Sequence, residues 1–348
     1  MPSEGYRPDF RIYAGDQGKD ITPTLNERLL SITLDQEAED RSDRLTLRLA
    51  DYDDPKLGRP IAFPEANSLI RVSLGWVNAL TDFGKYRVDE ITYRSPPAMV
   101  EIKASAAAFS KSLRSAKTRD WKDETLASMT RKIAEEHGYE ARIQAGEIGS
   151  KDIPSAHQQH ESDIEFLNNQ AELWDAEVRP VNDLLVLVKK NNPVSVSGKP
   201  LPGLTLRPSD VSDWEYTFAA RRAAGEADDG TGGVKAYYRD YDAGETKAVT
   251  VGEPPYEEVK WVHPSEYKAR AAAASKYNRE ERRKRELTVS MEGTPKATPE
   301  GRLHLEGWRP NVPTEWRITS VQHTYKSASG FRTDVTGELA NLDEAKLP

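Results

Sequence analysis

At 348 residues the chain exceeds one ordinary domain, and a composition of 37% hydrophobic and 30% charged residues with a mean hydropathy of −0.73 fits two or three compact units with much polar surface. The absence of cysteine excludes disulfide scaffolds, thiolate metal sites and cysteine nucleophiles. With 57 acidic against 49 basic residues the net charge is −8, which argues against general affinity for nucleic acid. No apolar run approaches the roughly 20 residues of a membrane span. MPSEGYRPDF lacks the basic flank and apolar stretch of a secretion signal, so folding in a cytoplasm is expected.

The first region, residues 1–105, reads as strands. Phe10 to Tyr13 leads in, and Leu29 to Leu34 alternates before a polar turn at Gln36 to Asp40. Arg44-Leu45-Thr46-Leu47-Arg48-Leu49 puts three leucines on one face and Arg, Thr and Arg on the other, the pattern of a half-buried strand. Leu69 to Val77 and a strand pair from Lys85 to Ala106, joined at Ser95-Pro96-Pro97, complete an antiparallel sheet or small barrel.

Residues 106–200 change character. DETLASMTRKIAEEH aligns Leu126, Met129, Ile133 and His137 on one helical face, with Asp123 as expected N-cap and Gly138 as stop. Ser162-Asp163-Ile164-Glu165 is a capping box opening a second helix whose apolar face is Ile164, Leu167, Ala171 and Trp174. Ala176 to Val181 and Leu184 to Val188 flank Asn182-Asp183 as a hairpin. Asn191 to Pro202, rich in Pro, Gly, Asn and Ser, reads as a linker ending this small α+β unit.

In residues 201–348 the strands resume at Asp213 to Phe218, Val234 to Tyr241 and Lys247 to Val251, with a mobile loop expected over Arg221 to Gly233. Pro264-Ser265-Glu266 starts a helix near 265–285, whose alanines 271–274 permit close approach of another backbone. Glu286 to Glu292 points Leu287, Val289 and Met291 to one face. Arg302 to Gly307 and a closing hairpin, Trp316 to Glu338, follow. That hairpin repeats the layout of Lys85 to Ala106, so the chain reads as an internally duplicated barrel around an α+β unit.

The candidates for chemistry are weak. His157 and His160 have a spacing that could bring two imidazoles to a metal, but no carboxylate stands at ligand spacing. His323 alternates with Val321 and Tyr325 and reads as a structural histidine. Gly230 to Lys235 lacks the spacing and the hydroxyl of a phosphate loop, and no G-x-S-x-G is present. Asp53-Asp54 and Asp228-Asp229 read as surface charge, and Arg279 to Arg285 as a solvated helix end. No catalytic, cofactor-binding or metal-ligating residue is therefore assigned. Trp76, Trp316 and Tyr325 are aromatic anchors by type.

The strand pair Lys85 to Ala106, the segment Trp121 to Gly138, the block His160-Glu161-Ser162-Asp163-Ile164-Glu165-Phe166-Leu167 and the closing Trp316 to His323 occur together in an order that resembles the late control protein D family. These are baseplate hubs of contractile phage tails and phage-tail-like (R-type, pyocin-like) bacteriocins, similar in fold to myophage hubs and to the hub part of type VI secretion spikes. The resemblance implies an α+β, mainly β fold in which two tube-like antiparallel β-barrel domains flank a small α+β domain. It implies a structural homotrimer, not an enzyme, that joins the hexameric tail tube or its initiator to a trimeric spike. Other baseplate proteins and the tape-measure protein are further expected partners; specific nucleic acid and membrane are not. Because the sequence ends at Pro348, the spike is expected to be a separate polypeptide. A tail-tip peptidoglycan hydrolase and a carbohydrate-binding tail module are the competing readings, the second drawing on seven Trp and 14 Tyr.

Overall fold

The structure is a computed structural model that describes residues 7–15, 17–38, 43–52, 60, 64–65, 67–107, 112–144, 146–181, 184–190, 203–219 and 232–340. The expected linker at 191–202, most of the expected loop at 221–233, Asp53-Asp54 and Asp228-Asp229 lie outside the described residues. The chain runs through β1 (Pro8–Ala14), β2 (Lys19–Asp20), α1 (Thr22–Leu25), β3 (Leu29–Glu37), β4 (Arg44–Ala50), β5 (Leu69–Trp76), β6 (Ala79–Arg94) and β7 (Met99–Ala106). It continues with β8 (Ala116–Thr125), α2 (Leu126–Glu136), β9 (Glu140–Ile143), β10 (Asp152–Ser162), α3 (Asp163–Glu172), β11 (Ala176–Val181) and β12 (Leu184–Lys189). The last part holds β13 (Gly203–Leu206), β14 (Val211–Phe218), β15 (Gly233–Asp240), β16 (Glu245–Gly252), β17 (Tyr256–His263), α4 (Glu266–Arg283), β18 (Arg285–Glu292), β19 (Arg302–Leu305), β20 (Glu315–Lys326) and β21 (Gly330–Leu339).

The two ends of the chain build one 13-stranded sheet in the order β14-β18-β21-β20-β3-β4-β7-β6-β5-β1-β2, with β19 on β20 and β13 on β19. The order contains a repeat. The first region supplies β3, β4, β5, β6 and β7, the last supplies β14, β18, β19, β20 and β21, and each set lies in space as its first, second, fifth, fourth and third strand, all antiparallel.

The irregularities repeat as well. An extra residue bulges from the ladder at Leu30 in β3 and at Ser212 in β14, and again at Asp89 in β6 and at Thr319 in β20. Matched on these bulges, Tyr86-Arg87-Val88 corresponds to Trp316-Arg317-Ile318, and Leu45-Thr46-Leu47 to Leu287-Thr288-Val289. Alternation drives both copies, because Leu45, Leu47 and Leu49 bury in one core and Leu287, Val289 and Met291 in the other. The sixth strands differ: β1 runs antiparallel to β5, whereas β13 runs parallel to β19.

The matched pair Tyr86 and Trp316 is buried to 1% and 0% exposure. Trp316 donates its Nε1 hydrogen to the Pro313 carbonyl at 2.7 Å, while the Tyr86 hydroxyl has no partner among the described residues and burial pushes its pKa up. Removing an unbonded buried hydroxyl relieves its desolvation cost, so Tyr86→Phe is expected to leave stability unchanged or raise it by up to about 1 kcal/mol. Urea midpoints of the two proteins check this.

Tertiary pairing corrects several boundaries. The two β units are joined edge to edge, because β20 pairs with β3 and makes their strands one continuous sheet. The same pairing extends β3 through Gln36 and Glu37, where the sequence suggests a turn. The strands at 234–241 and 247–251 do not join that sheet. They form β16-β15-β17, a three-stranded sheet inserted with α4 between β14 and β18. Ala269 and Ala273 are fully buried there against Val234, Ala236 and Val249, which is the close approach the alanines allow.

In the middle region α2 is capped by Thr125 rather than Asp123, because β8 stays paired with β10 as far as Thr125. Asp123 lies inside β8 with φ 51°. Gly138, at φ 75°, ends the helix as expected, and the Ser162–Glu165 capping box opens α3. The β8–β10 ladder itself is not evident from AKTRDWKDET, whose charged residues obscure the alternation.

Candidate functional site

The histidines do not assemble a reactive centre among the described residues. His157 Nδ1 lies 2.6 Å from Asp120 Oδ1, whereas His160, at φ 52° beside the irregular pairing of β10, faces Thr118 Oγ1 at 3.3 Å. Their spacing thus brings them to different partners. Glu136, His137 and Asp163 do offer ligand atoms within 4.8 Å of one another. Lys117 and Arg119 already bind Asp163, each at 2.6 Å, and His137 Nε2 lies 2.7 Å from its Oδ2. Burial raises the Asp163 pKa, but hydrogen bonds from Lys117, Gln158 and His137 outweigh it and hold the carboxyl below its usual range. The charge a metal would supply is provided by these cations, so the cluster ties β8, β10, α2 and α3 together. Gly232 and Gly233 also have a packing role: a Cβ on Gly233 would sit 2.6 Å from the Val251 carbonyl.

His323 is fully buried in β20, its Nδ1 3.0 Å from Thr333 Oγ1 and its ring centroid 4.9 Å from that of Phe83. Burial lowers its pKa to about 4 from 6.5. Above pH 6.5 neither folded nor unfolded chain holds the proton. As pH falls from 6.5 towards 4 the unfolded chain binds a proton that the folded chain refuses, so stability is lost, by about 3 kcal/mol in total below pH 4. Urea midpoints between pH 7 and 4 are expected to fall less steeply in His323→Gln than in the unchanged protein.

A buried ion network joins the last region to the α+β region. Arg317, 1% exposed, bonds Glu300 through Nε at 2.9 Å and through Nη2, and bonds Glu338 through Nη1. Arg282 of α4 reaches Glu338 at 3.2 Å and clamps Asp175 of the α+β region at 2.9 and 3.1 Å. Burial opposes the Arg317 cation, yet Glu300 and Glu338 hold its pKa above the ordinary value. Beside it Glu177 is pushed up by burial and then by the like charge of Glu300. The run Arg279 to Arg285 is therefore not simply a solvated helix end, since Arg282 belongs to this network.

The aromatic anchors also belong to the interior. Trp316 is core, Trp76 donates to the Gly293 carbonyl at 2.9 Å and packs on Phe331, and Tyr325 packs on Phe10. Other aromatics are partly exposed: Tyr93 on β6 is 52% exposed, Trp214 on β14 is 37% exposed beside Trp308, and Phe218 on β14 is 53% exposed under the Arg285 guanidinium. They lie at backbone edges. Among the described residues β14 pairs only with β18, and residues 90–94 of β6 pair only with β7. Sequence gives little sign of this, because an aromatic on an alternating strand looks alike whether the core or a partner covers it. No helix of the described residues is long and apolar enough to cross a membrane.

The described residues thus form a mainly β chain with two repeated sheet units. The family of phage tail baseplate hub (GPD) proteins matches residues 41–329, and the chain belongs to that family. A probable baseplate hub protein of Escherichia phage P2 is 32% identical over 217 residues, 62% of this chain and 54% of the relative; the match thus spans about half the relative's length. The crystal structure of a 43 kDa tail protein of prophage MuSo2 from Shewanella oneidensis shares the fold, with a TM-score of 0.69 and 13% identity over 97% of this chain and 99% of that one. A component of the E. coli type VI secretion system is similar at a TM-score of 0.54 and 10% identity, over 89% and 73%.

Proposed function

We propose that the chain is the structural hub of a contractile tail baseplate, a homotrimer that adapts the sixfold tail tube to a trimeric central spike and takes part in tail assembly. The observation that carries this reading is the repeated strand order, with its repeated bulges, in one polypeptide. Two like units per chain let three chains offer six near-equivalent positions to a tube while keeping threefold symmetry for a spike. The tube or its initiator, the central spike, neighbouring baseplate proteins and the tape-measure protein are the partners this role requires. The site of action is the baseplate of a phage or bacteriocin particle assembled in the bacterial cytoplasm.

Native mass of the purified chain, alone and with its spike partner, tests the reading. A mass of three chains in the spike complex is expected; any other stoichiometry there overturns it. A peptidoglycan zymogram tests the non-enzymatic part, and a cleared band at the mass of this chain would defeat it.

A further inference from the structure

The α+β unit meets the last region through polar ties rather than a shared core. Its apolar cluster draws on residues 113–187, and the two clusters of the last region draw on residues 204–335. Across the junction Ser275 Oγ of α4 donates to the Glu172 carbonyl at 2.7 Å, Arg279 pairs with Glu172, and Arg282 clamps Asp175. Tyr267 of α4 packs on Trp174 with ring centroids 5.4 Å apart, and its hydroxyl accepts from Lys151 at 3.0 Å. Parting the two regions would wet these groups and leave each apolar core closed.

One group at this junction is out of balance. Alternation on β11 sends Ala176 and Val178 into the α+β core, so Glu177 between them points away from it. Glu177 is nonetheless only 3% exposed. Arg317 of β20 and Glu300, just before β19, face it from the last region, and Arg179 of β11 and Lys190 beyond β12 face it from its own. Its Oε1 has no hydrogen-bond partner among the described residues, and Arg179 Nε stands 3.7 Å away, too far for such a bond. Arg317 is committed to Glu300 and Glu338, and Arg282 to Asp175 and Glu338. Four carboxyls therefore crowd two buried arginines, and neither arginine bonds Glu177.

We propose that Glu177 makes this junction a pH-sensitive joint: with a proton on its carboxyl the α+β unit docks on the last region, and loss of that proton sets it against Glu300 and lets the unit part as a body. Burial, then the like charge of Glu300, raises the pKa of docked Glu177 from 4.5 to about 7. Below pH 4.5 the carboxyl is protonated whether docked or parted, and docking is at full strength. Docking weakens as pH rises from 4.5 to about 7 and stays weakened above that, with about tenfold of the loss falling between pH 6 and 8. The joint lies within one chain, so it stands or falls apart from the trimeric hub reading.

The natural chain has no cysteine, so one engineered thiol reports on one place. Ser275→Cys puts it in the junction, at a position 9% exposed. Ala171→Cys and, as a duplicate, Ala134→Cys put it in the α+β core, and Arg270→Cys on exposed α4 surface gives the unprotected rate at each pH. The full-length variants are labelled with a methanethiosulfonate reagent. The thiol at position 275 is expected to react faster than those at 171 and 134, and its protection relative to position 270 to fall about tenfold from pH 6 to 8. Adding Glu177→Gln, which keeps the neutral form at every pH, is expected to hold that protection within about twofold. Equal labelling at 275 and in the core would mean that the regions part only on global unfolding and would overturn the joint. Protection at 275 that ignores pH, or that falls as steeply with Glu177→Gln, would overturn the role of Glu177.

Discussion

Replacing Arg317 by methionine is expected to lower the unfolding free energy by about 3–5 kcal/mol, because removal of one partner strands the buried charges it compensates. Arg317 is 1% exposed, and Glu300, 5% exposed, takes two of its hydrogen bonds. Methionine matches the length of the stem but supplies no charge, so Glu300 and Glu338 are left without their main cation. Glu177, already pushed up by burial and by Glu300, loses a favourable charge at the same time. The loss is therefore expected to be greater at pH 8 than at pH 5, where protonation relieves the stranded carboxyls. Urea denaturation at both pH values, followed by far-ultraviolet circular dichroism, reads the difference. Equal losses at the two pH values would show that packing of the stem, not compensation of charge, is what Arg317 contributes.

Trp316→Ala is expected to cost a similar amount, about 3–5 kcal/mol, through the lost burial of the indole and the cavity it leaves. The side chain is fully buried in the second β core, with its Nε1 hydrogen bonded to the Pro313 carbonyl and its ring edge-on to Tyr216 at 5.9 Å. Tyr216 stands on β14, so the cavity also loosens the packing of that strand. Trp261→Ala is the matched comparison. Trp261 is 75% exposed, and its removal is expected to shift stability by no more than about 0.5 kcal/mol. Thermal melts of the two variants against the unchanged chain decide this, and equal shifts would contradict the burial argument.

The difference between Trp261 and Trp316 shows where sequence reading stops. Both are tryptophans in strands, and WVH and WRI look alike as short patterns; the number of layers packed over each is a property of the fold. Trp76 and Tyr325 pass for interface anchors by residue type, yet they stitch the two β units of a single chain together. Tyr93, Trp214 and Phe218 attract no notice in the sequence, yet folding leaves each of them partly exposed at a sheet edge. Arg282 sits in a basic run that looks solvated until Asp175 and Glu338 close on it from distant parts of the chain.

Alternation of Leu45, Leu47 and Leu49 and of Leu287, Val289 and Met291, the capping box at Ser162 and the stop at Gly138 are written locally, because each depends on neighbours within a strand or one helical turn. The mainly β character and the repeated hairpins follow from such patterns and are legible in the sequence alone. Only the tertiary structure decides that the two β units share one sheet through β20 and β3, that β15 to β17 leave that sheet with α4, and that Asp123 stays in a strand. Those outcomes depend on hydrogen bonds and packing between residues far apart in the chain, and a strand's own side chains do not name the strand beside it.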